Sequence, residues 1–246
     1  MPTLKTVHRP QTIDAAIELL NRADVPTAVL AGGTSLVPAL RKEVDELVDL
    51  QALPYNQIQH TAAQVKIGSL VTLQTLLADQ SVPELLRDLA RREGPNTFRN
   101  AGTVGGAVAA ATGESEFVAG LLVCDAAVTI QKASGVQIMP LAEFLQNRQT
   151  ALVGGIITLI TAAKPAAAAA DRVARTPQDQ PIVAAVAAKT AAGECRLALC
   201  GVAATPVLAD PEKLEALNPP GDFRGSSAYR RQMAVVLTQR ALKACG

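Results

Sequence analysis

The chain has 246 residues, 49% of them hydrophobic and 18% charged, which is too apolar for a disordered chain and enough for one large domain or two to three small ones. A net charge of +1 argues against a nucleic-acid or polyanion binder, which carries a strong basic excess. No apolar run approaches the roughly 20 residues of a membrane span, and no basic-then-apolar leader opens the sequence, so the expected setting is cytoplasmic. Aromatic residues are only 2% with no Trp, so Ala, Leu and Val must fill the core and few rings remain to stack on a planar ligand. The four cysteines, Cys124, Cys195, Cys200 and Cys245, form no CxxC pair and are expected as buried free thiols rather than metal ligands.

The first 50 residues read as helix, strand, glycine loop, short helix, strand. Thr12 is placed to cap a helix whose Ile13, Ala16, Ile17 and Leu20 share one face, with Asp14 in its first turn. Thr27–Leu30 and 46–50 are expected strands, joined through Gly32-Gly33 and a brief helix over 35–41. From Ile58 the pattern changes to a hairpin, then a helix opening at Thr72, then one opening with Pro83 at its first position. A glycine-rich loop around residue 102 comes next. It precedes a helix over 116–124, strands over 127–131 and 136–139 across a Ser134-Gly135 turn, and a β-rich run over 156–161. The alanine tract at 165–170, set between Pro165 and a polar stretch, reads as an exposed linker. An antiparallel pair over 182–189 and 195–202 and a closing helix capped by Ser226 or Ser227 complete the chain.

Two glycine segments about 70 residues apart carry most of the chemistry. The first is Ala31-Gly32-Gly33-Thr34-Ser35-Leu36, directly after a buried strand. The second is Arg99-Asn100-Ala101-Gly102-Thr103-Val104-Gly105-Gly106. A glycine pair with hydroxyl residues at a strand end lets the backbone approach a ligand and point several amides at one anion. Two such segments point to one ligand with a polyanionic middle, such as a dinucleotide. His8 and His60 read as surface residues, and Ser115 lacks the His and Asp pattern of a hydrolase. Arg99 and Asn100 read as loop-shaping residues, and Tyr229-Arg230-Arg231 as the start of a packed helix with solvated arginines.

With these motifs in order, the chain resembles the FAD-binding medium subunit of molybdenum hydroxylases, the family of carbon monoxide dehydrogenase and xanthine dehydrogenase. The resemblance also rests on Val-Asp-Leu at 48–50, Ile-Gly-Ser-Leu-Val-Thr-Leu at 67–73 and Leu-Leu-Val-Cys-Asp-Ala at 121–126. Pro-Leu-Ala-Glu-Phe-Leu at 140–145 and Gly-Val-Ala-Ala-Thr-Pro at 201–206 extend it toward the C-terminus. It implies an α+β fold: a two-lobed PCMH-type FAD-binding domain over 1–168, with lobes of about 1–56 and 57–168, then a small α/β domain over 169–246. It also implies that Leu30, Ala31, Gly32, Gly33, Thr34, Ser35 and Leu36 wrap the FAD pyrophosphate. Ala101, Thr103, Gly105 and Gly106 would line the opposite side, with Ile67 and Gly68 contributing from the hairpin and Ser115 and Glu116 from the next helix start. The sequence departs from the family pattern at Ala107, where an Asn is usual, and at Glu116, where an Asp is usual.

The implied activity is that of an oxidoreductase subunit that carries electrons from 2Fe–2S clusters of a small subunit through FAD to a terminal acceptor. Substrate oxidation would occur at a molybdenum–pterin large subunit, in a dimer of heterotrimers. The absence of a cysteine-bearing insertion implies no additional iron–sulfur cluster here. Two other readings stay open: a flavin-poor scaffold of the same kind of complex, motivated by Ala107 and Glu116, and a free-standing flavin oxidase.

Overall fold

The computed structural model describes residues 4–39 and 44–246. The first unit contains β1 (Thr6–His8), α1 (Ile13–Leu20), β2 (Thr27–Leu30) and β3 (Glu46–Asp49), with the strands in an all-parallel sheet of order β1-β3-β2. Thr12 caps α1 by accepting from the Ala15 amide, as its position predicts. The central strand β3 is tied to its neighbours by charge: Glu46 pairs with His8 and Arg22, and buried Asp49 pairs with Arg9. The brief helix expected over 35–41 is not a helix over 34–39, which form turns, and its end lies outside the described residues.

The second unit begins with β4 (Ile58–His60), β5 (Gln64–Gly68), α2 (Leu73–Ala78) and α3 (Glu84–Arg92). It continues through α4 (Asn96–Ala101), α5 (Val104–Ala109), α6 (Glu116–Val123), β6 (Ala127–Lys132), β7 (Gly135–Pro140), α7 (Leu141–Ala151) and β8 (Gly155–Ala163). Its five strands form an antiparallel sheet of order β4-β5-β8-β6-β7. Two local expectations change, and one helix lies where no element was expected. Pro83 is the cap residue of α3 rather than its first helical residue. The second glycine segment is two six-residue helices meeting at Gly102-Thr103, not an open loop. The helix α7 had no helical signal in the sequence, because Pro140 and mixed polarity mask its start.

Every residue of α6 is buried, as befits a helix apolar on all sides. It packs on α3 and on three strands, the last three, of a third sheet, which holds β9 (Ala167–Val173), β10 (Val183–Lys189), β11 (Cys195–Cys200) and β12 (Val207–Leu208). The closing helix α8 (Ser227–Cys245), capped by Ser226, covers the other face of that sheet. Alternation along β10 divides its residues between the two layers: Ala184, Val186 and Ala188 join the α6 side, while Val183, Ala185 and Ala187 join the α8 side. Alanines allow a helix to pack closely on each face. The tract expected as a linker is thus half-buried β9, paired with β10 from Val183↔Val173 to Lys189↔Ala167. Alanine's weak strand preference hid it, and ladder pairing overrides that preference.

Two side-chain expectations also change. Arg230 is buried, donating to the carbonyls of Ile182 and Gly201 and pairing with Asp222, so it is not a solvated arginine. Cys195 is exposed, whereas Cys124, Cys200 and Cys245 are buried.

Candidate cofactor-binding site

The end of β2 and the start of α5 face each other across a cleft of about 530 Å³, inside the range of roughly 300–1,000 Å³ usual for ligand sites. Ala31, Gly32, Gly33, Thr34, Ser35 and Leu36 form one wall. Ser69, Leu70, Thr103, Gly105 and Gly106 form the other. A second chamber of about 180 Å³ adjoins it, lined by Leu73, Glu93, Phe98, Ala107, Thr112, Ser115 and Gln180. Thr34, Ser35, Thr103 and Ala110 line both chambers and form the waist between them. An elongated ligand fits such a shape.

The two glycines of the first loop do different work. A Cβ on Gly32 would lie 1.8 Å from the Ala101 carbonyl oxygen, so only glycine lets this loop touch the α4–α5 junction. Gly33 has φ = +73°, the left-handed region, and its turn is closed by the Val37 amide donating to the Gly33 carbonyl at 3.0 Å. Among the described residues, the amides of Gly32, Gly33, Thr34 and Ser35 donate to no protein acceptor. Four unpaired amides at a cleft wall are an anion-binding arrangement.

The second segment differs. Its Val104 and Gly105 amides donate to the Val71 and Ser69 carbonyls, both at 2.8 Å. The Gly106 and Ala107 amides donate to the Thr103 hydroxyl and carbonyl. These amides are committed to the protein, so Gly105 and Gly106 serve as a wall that must stay thin. A Cβ on Gly105 would lie 2.7 Å from the Ser69 Cβ.

The remaining residues expected at the site scatter. Leu30, Ile67, Gly68, Ala101 and Glu116 line neither chamber. Ile67 is buried in the β5 ladder, and Gly68 is glycine because a Cβ would lie 2.2 Å from the Tyr55 carbonyl oxygen. Leu30 packs beside Gly33, and Ala101 offers the carbonyl against which Gly32 rests. Buried Glu116 is held on one oxygen by Arg92 at 3.0 Å and on the other by Arg172 at 2.5 Å. Ser115 does line the second chamber, but its hydroxyl accepts from the Thr112 amide and shapes the turn before α6.

Two site residues escaped the sequence reading. Ser69, adjacent to the Ile67-Gly68 motif, lines the cleft with a buried hydroxyl that has no protein partner. Among the described residues, Glu93 is the single ionisable one lining either chamber. Its Oε1 accepts from the Phe117 amide at 2.9 Å. Burial pushes its carboxyl up to about 7, against the pull of that amide and with help from the charge of Glu116. No sequence pattern marks Glu93, since it reads as the end of a charged helix face.

The comparisons with known proteins decide the family. A profile described as "FAD binding domain in molybdopterin dehydrogenase" matches residues 3–162. The chain belongs to this FAD-binding family. Its cofactor class is FAD, and the unpaired amides together with the orphaned Ser69 hydroxyl suit a ligand rich in phosphate and hydroxyl groups. This FAD-binding chain is 28% identical to the glyceraldehyde dehydrogenase medium chain of Sulfolobus acidocaldarius, over 96% of each sequence. It is 25% identical to the carbon monoxide dehydrogenase medium chain of Afipia carboxidovorans, covering 96% of this chain and 94% of that relative. Reconstituted CO dehydrogenase from Oligotropha carboxidovorans has a chain that superposes with a TM-score of 0.88 at 25% identity, covering 100% of this chain and 98% of that one. The α+β FAD-binding fold and the oxidoreductase family of molybdenum hydroxylase medium subunits are therefore those the motifs implied. No helix among the described residues is long and apolar enough to cross a membrane.

Proposed function

We propose that the chain is the FAD-holding electron-transfer subunit of a molybdenum hydroxylase complex. The observation that carries this reading is the set of unpaired amides from Gly32 to Ser35 facing a two-chambered cleft. They would hold the pyrophosphate, each hydrogen bond to a charged acceptor contributing about 1.5–3 kcal/mol, so no lysine is needed. Thr103, Gly105 and Gly106 would close the opposite wall, and the Ser69 hydroxyl would meet a polar group of the cofactor. Bound FAD supplies conversion between single-electron and two-electron transfer, which a carrier between iron–sulfur clusters and a terminal acceptor requires. The chain's own part is to bind and orient that cofactor and exclude water around it.

The partners in this reading are a 2Fe–2S small subunit and a molybdenum–pterin large subunit in a dimer of heterotrimers, in the cytoplasm. The FAD-binding unit would span 1–168, with lobes of about 1–56 and 57–168, and the C-terminal unit 169–246. The visible spectrum of the purified chain, with released cofactor counted, tests the reading. One FAD per chain supports it, and Gly33→Asp, which aims a carboxylate at the amide cluster, should remove the flavin. Absence of flavin after FAD is added would favour a flavin-poor scaffold. That alternative draws on apolar Ala107 in the second chamber and on Glu116 being taken up by two arginines.

A further inference from the structure

We infer that Glu93 couples FAD binding to the uptake of one proton, so that this chain loads its cofactor more tightly in acid than in base. The inference rests on the FAD reading above and concerns a residue the family motifs do not include. Glu93 follows α3 and lines the second chamber, which is continuous at Thr34 and Ser35 with the wall of unpaired amides. A dinucleotide gathered by those amides brings its negative charge into the same cleft.

The groups around Glu93 fix the sign of the effect. From α6, Glu116 presents a carboxylate, and the Phe117 amide donates to Glu93 Oε1. From α3 and β9, Arg92 and Arg172 both pair with Glu116 rather than with Glu93. Beyond Glu93, Arg99 donates to the carbonyls of Arg91 and Gly94. From β11, the Cys200 thiol is neutral, held well above its usual range by burial. In the turn before α6, Glu114 pairs with Arg224. With Glu93 ionised, the nearby set of Glu93, Glu116, Arg92 and Arg172 is neutral. With Glu93 protonated, it carries one net positive charge. An incoming polyanion therefore favours the protonated form, and by linkage the proton favours the polyanion. Because the carboxyl already titrates near neutrality in the free protein, the effect falls within an accessible pH range.

The test titrates FAD into the flavin-stripped full-length chain at about pH 6 and about pH 8, following quenching of flavin fluorescence, for the wild type and for Glu93→Gln. Glutamine keeps the carbonyl oxygen that accepts from Phe117. The dissociation constant of the wild type should rise by at least about threefold across this range, with about tenfold as the ceiling for one proton on a group that titrates near 7 in the free protein. That of Glu93→Gln should stay flat. Should the variant not fold, proton uptake during FAD titration of the wild type in weak buffer near neutral pH gives the same answer. FAD binding of equal strength at both pH values, or a slope that survives in Glu93→Gln, overturns the inference and leaves the FAD reading standing. No FAD binding at either pH overturns the FAD reading and the inference with it.

Discussion

Gly32→Ala is the most demanding perturbation of the cleft. The added methyl carbon would lie 1.8 Å from the Ala101 carbonyl oxygen and 2.7 Å from its carbonyl carbon, with the Gly102 α-carbon at 3.2 Å. All three are backbone atoms, so no side chain can swing aside. Restoring an ordinary contact requires the first loop and the α4–α5 junction to part by about 1.5 Å, an overpacking cost of about 1–3 kcal/mol. The same movement displaces the loop that carries the unpaired amides along the cleft wall. Misplacing one charge-assisted hydrogen bond of about 1.5–3 kcal/mol weakens FAD binding by roughly ten- to a hundredfold. Gly33→Ala is the matched comparison. Its φ of +73° makes any side chain strained by about 1 kcal/mol, but the nearest atoms are the ends of Val37 and Leu30 at 3.3 and 3.4 Å. It should lose stability while keeping more of its FAD affinity than Gly32→Ala. Urea midpoints separate unfolding from loss of binding, and flavin fluorescence gives the affinities. Wild-type FAD affinity in folded Gly32→Ala would refute the contact between the loops as the feature that sets the site.

Three further outcomes follow from the same structure. Glu93 keeps its proton in the folded state up to about pH 7, whereas its ordinary value is 4.5, so both states are protonated in acid and stability is lost as pH rises through 7. Glu93→Gln should match the wild type near pH 4.5 and exceed it at pH 8 by up to about 3 kcal/mol in urea unfolding; equal stability at pH 8 would contradict the buried, protonated carboxyl. Arg172→Ala removes one of the two partners of buried Glu116 and frees the carbonyls of Pro177 and Asp179 that Arg172 also binds. It should cost about 3 kcal/mol in thermal or urea unfolding, and a change below about 1 kcal/mol would show that Arg92 alone satisfies the carboxylate. A thiol reagent at neutral pH should modify Cys195 alone in the native chain. Burial raises the Cys124 thiol to about 12 and Cys200 well above its usual range, and labelling of Cys124 in folded protein would contradict the packing around α6.

Much of the architecture is local and therefore legible. Thr12 and Thr72 each cap the helix their position announces, and of the pair Ser226 and Ser227 it is Ser226 that caps α8. The hairpin from Ile58 and the pair joined through Gly193 follow from alternation and turn chemistry. The glycine loops were likewise readable as a place where backbone approaches something closely, and the ordered motifs gave the family.

What the sequence could not reveal depends on partners distant in the chain. The alanine tract is a strand only because β10 lies beside it, and local preference says nothing about a ladder. Arg230 looked like a solvated helix residue until the fold placed the carbonyls of Ile182 and Gly201 at its tip. Glu116 stands where the family usually has an Asp, yet Arg92 and Arg172, 24 and 56 residues away, claim its carboxylate. Which glycine segment keeps its amides free was likewise decided by the fold: the Ser69 and Val71 carbonyls, with the Thr103 hydroxyl and carbonyl, take up the second set, while the first finds no acceptor among the described residues. By itself the sequence determined where many helices and strands begin and the family that the ordered motifs mark, and it raised the expectation that two glycine segments serve one ligand. Only the tertiary structure decided which polar groups remain unpaired, because hydrogen bonds and ion pairs are allotted by proximity in space, and among the described residues that allotment leaves the cleft with four open amides and one protonatable carboxyl.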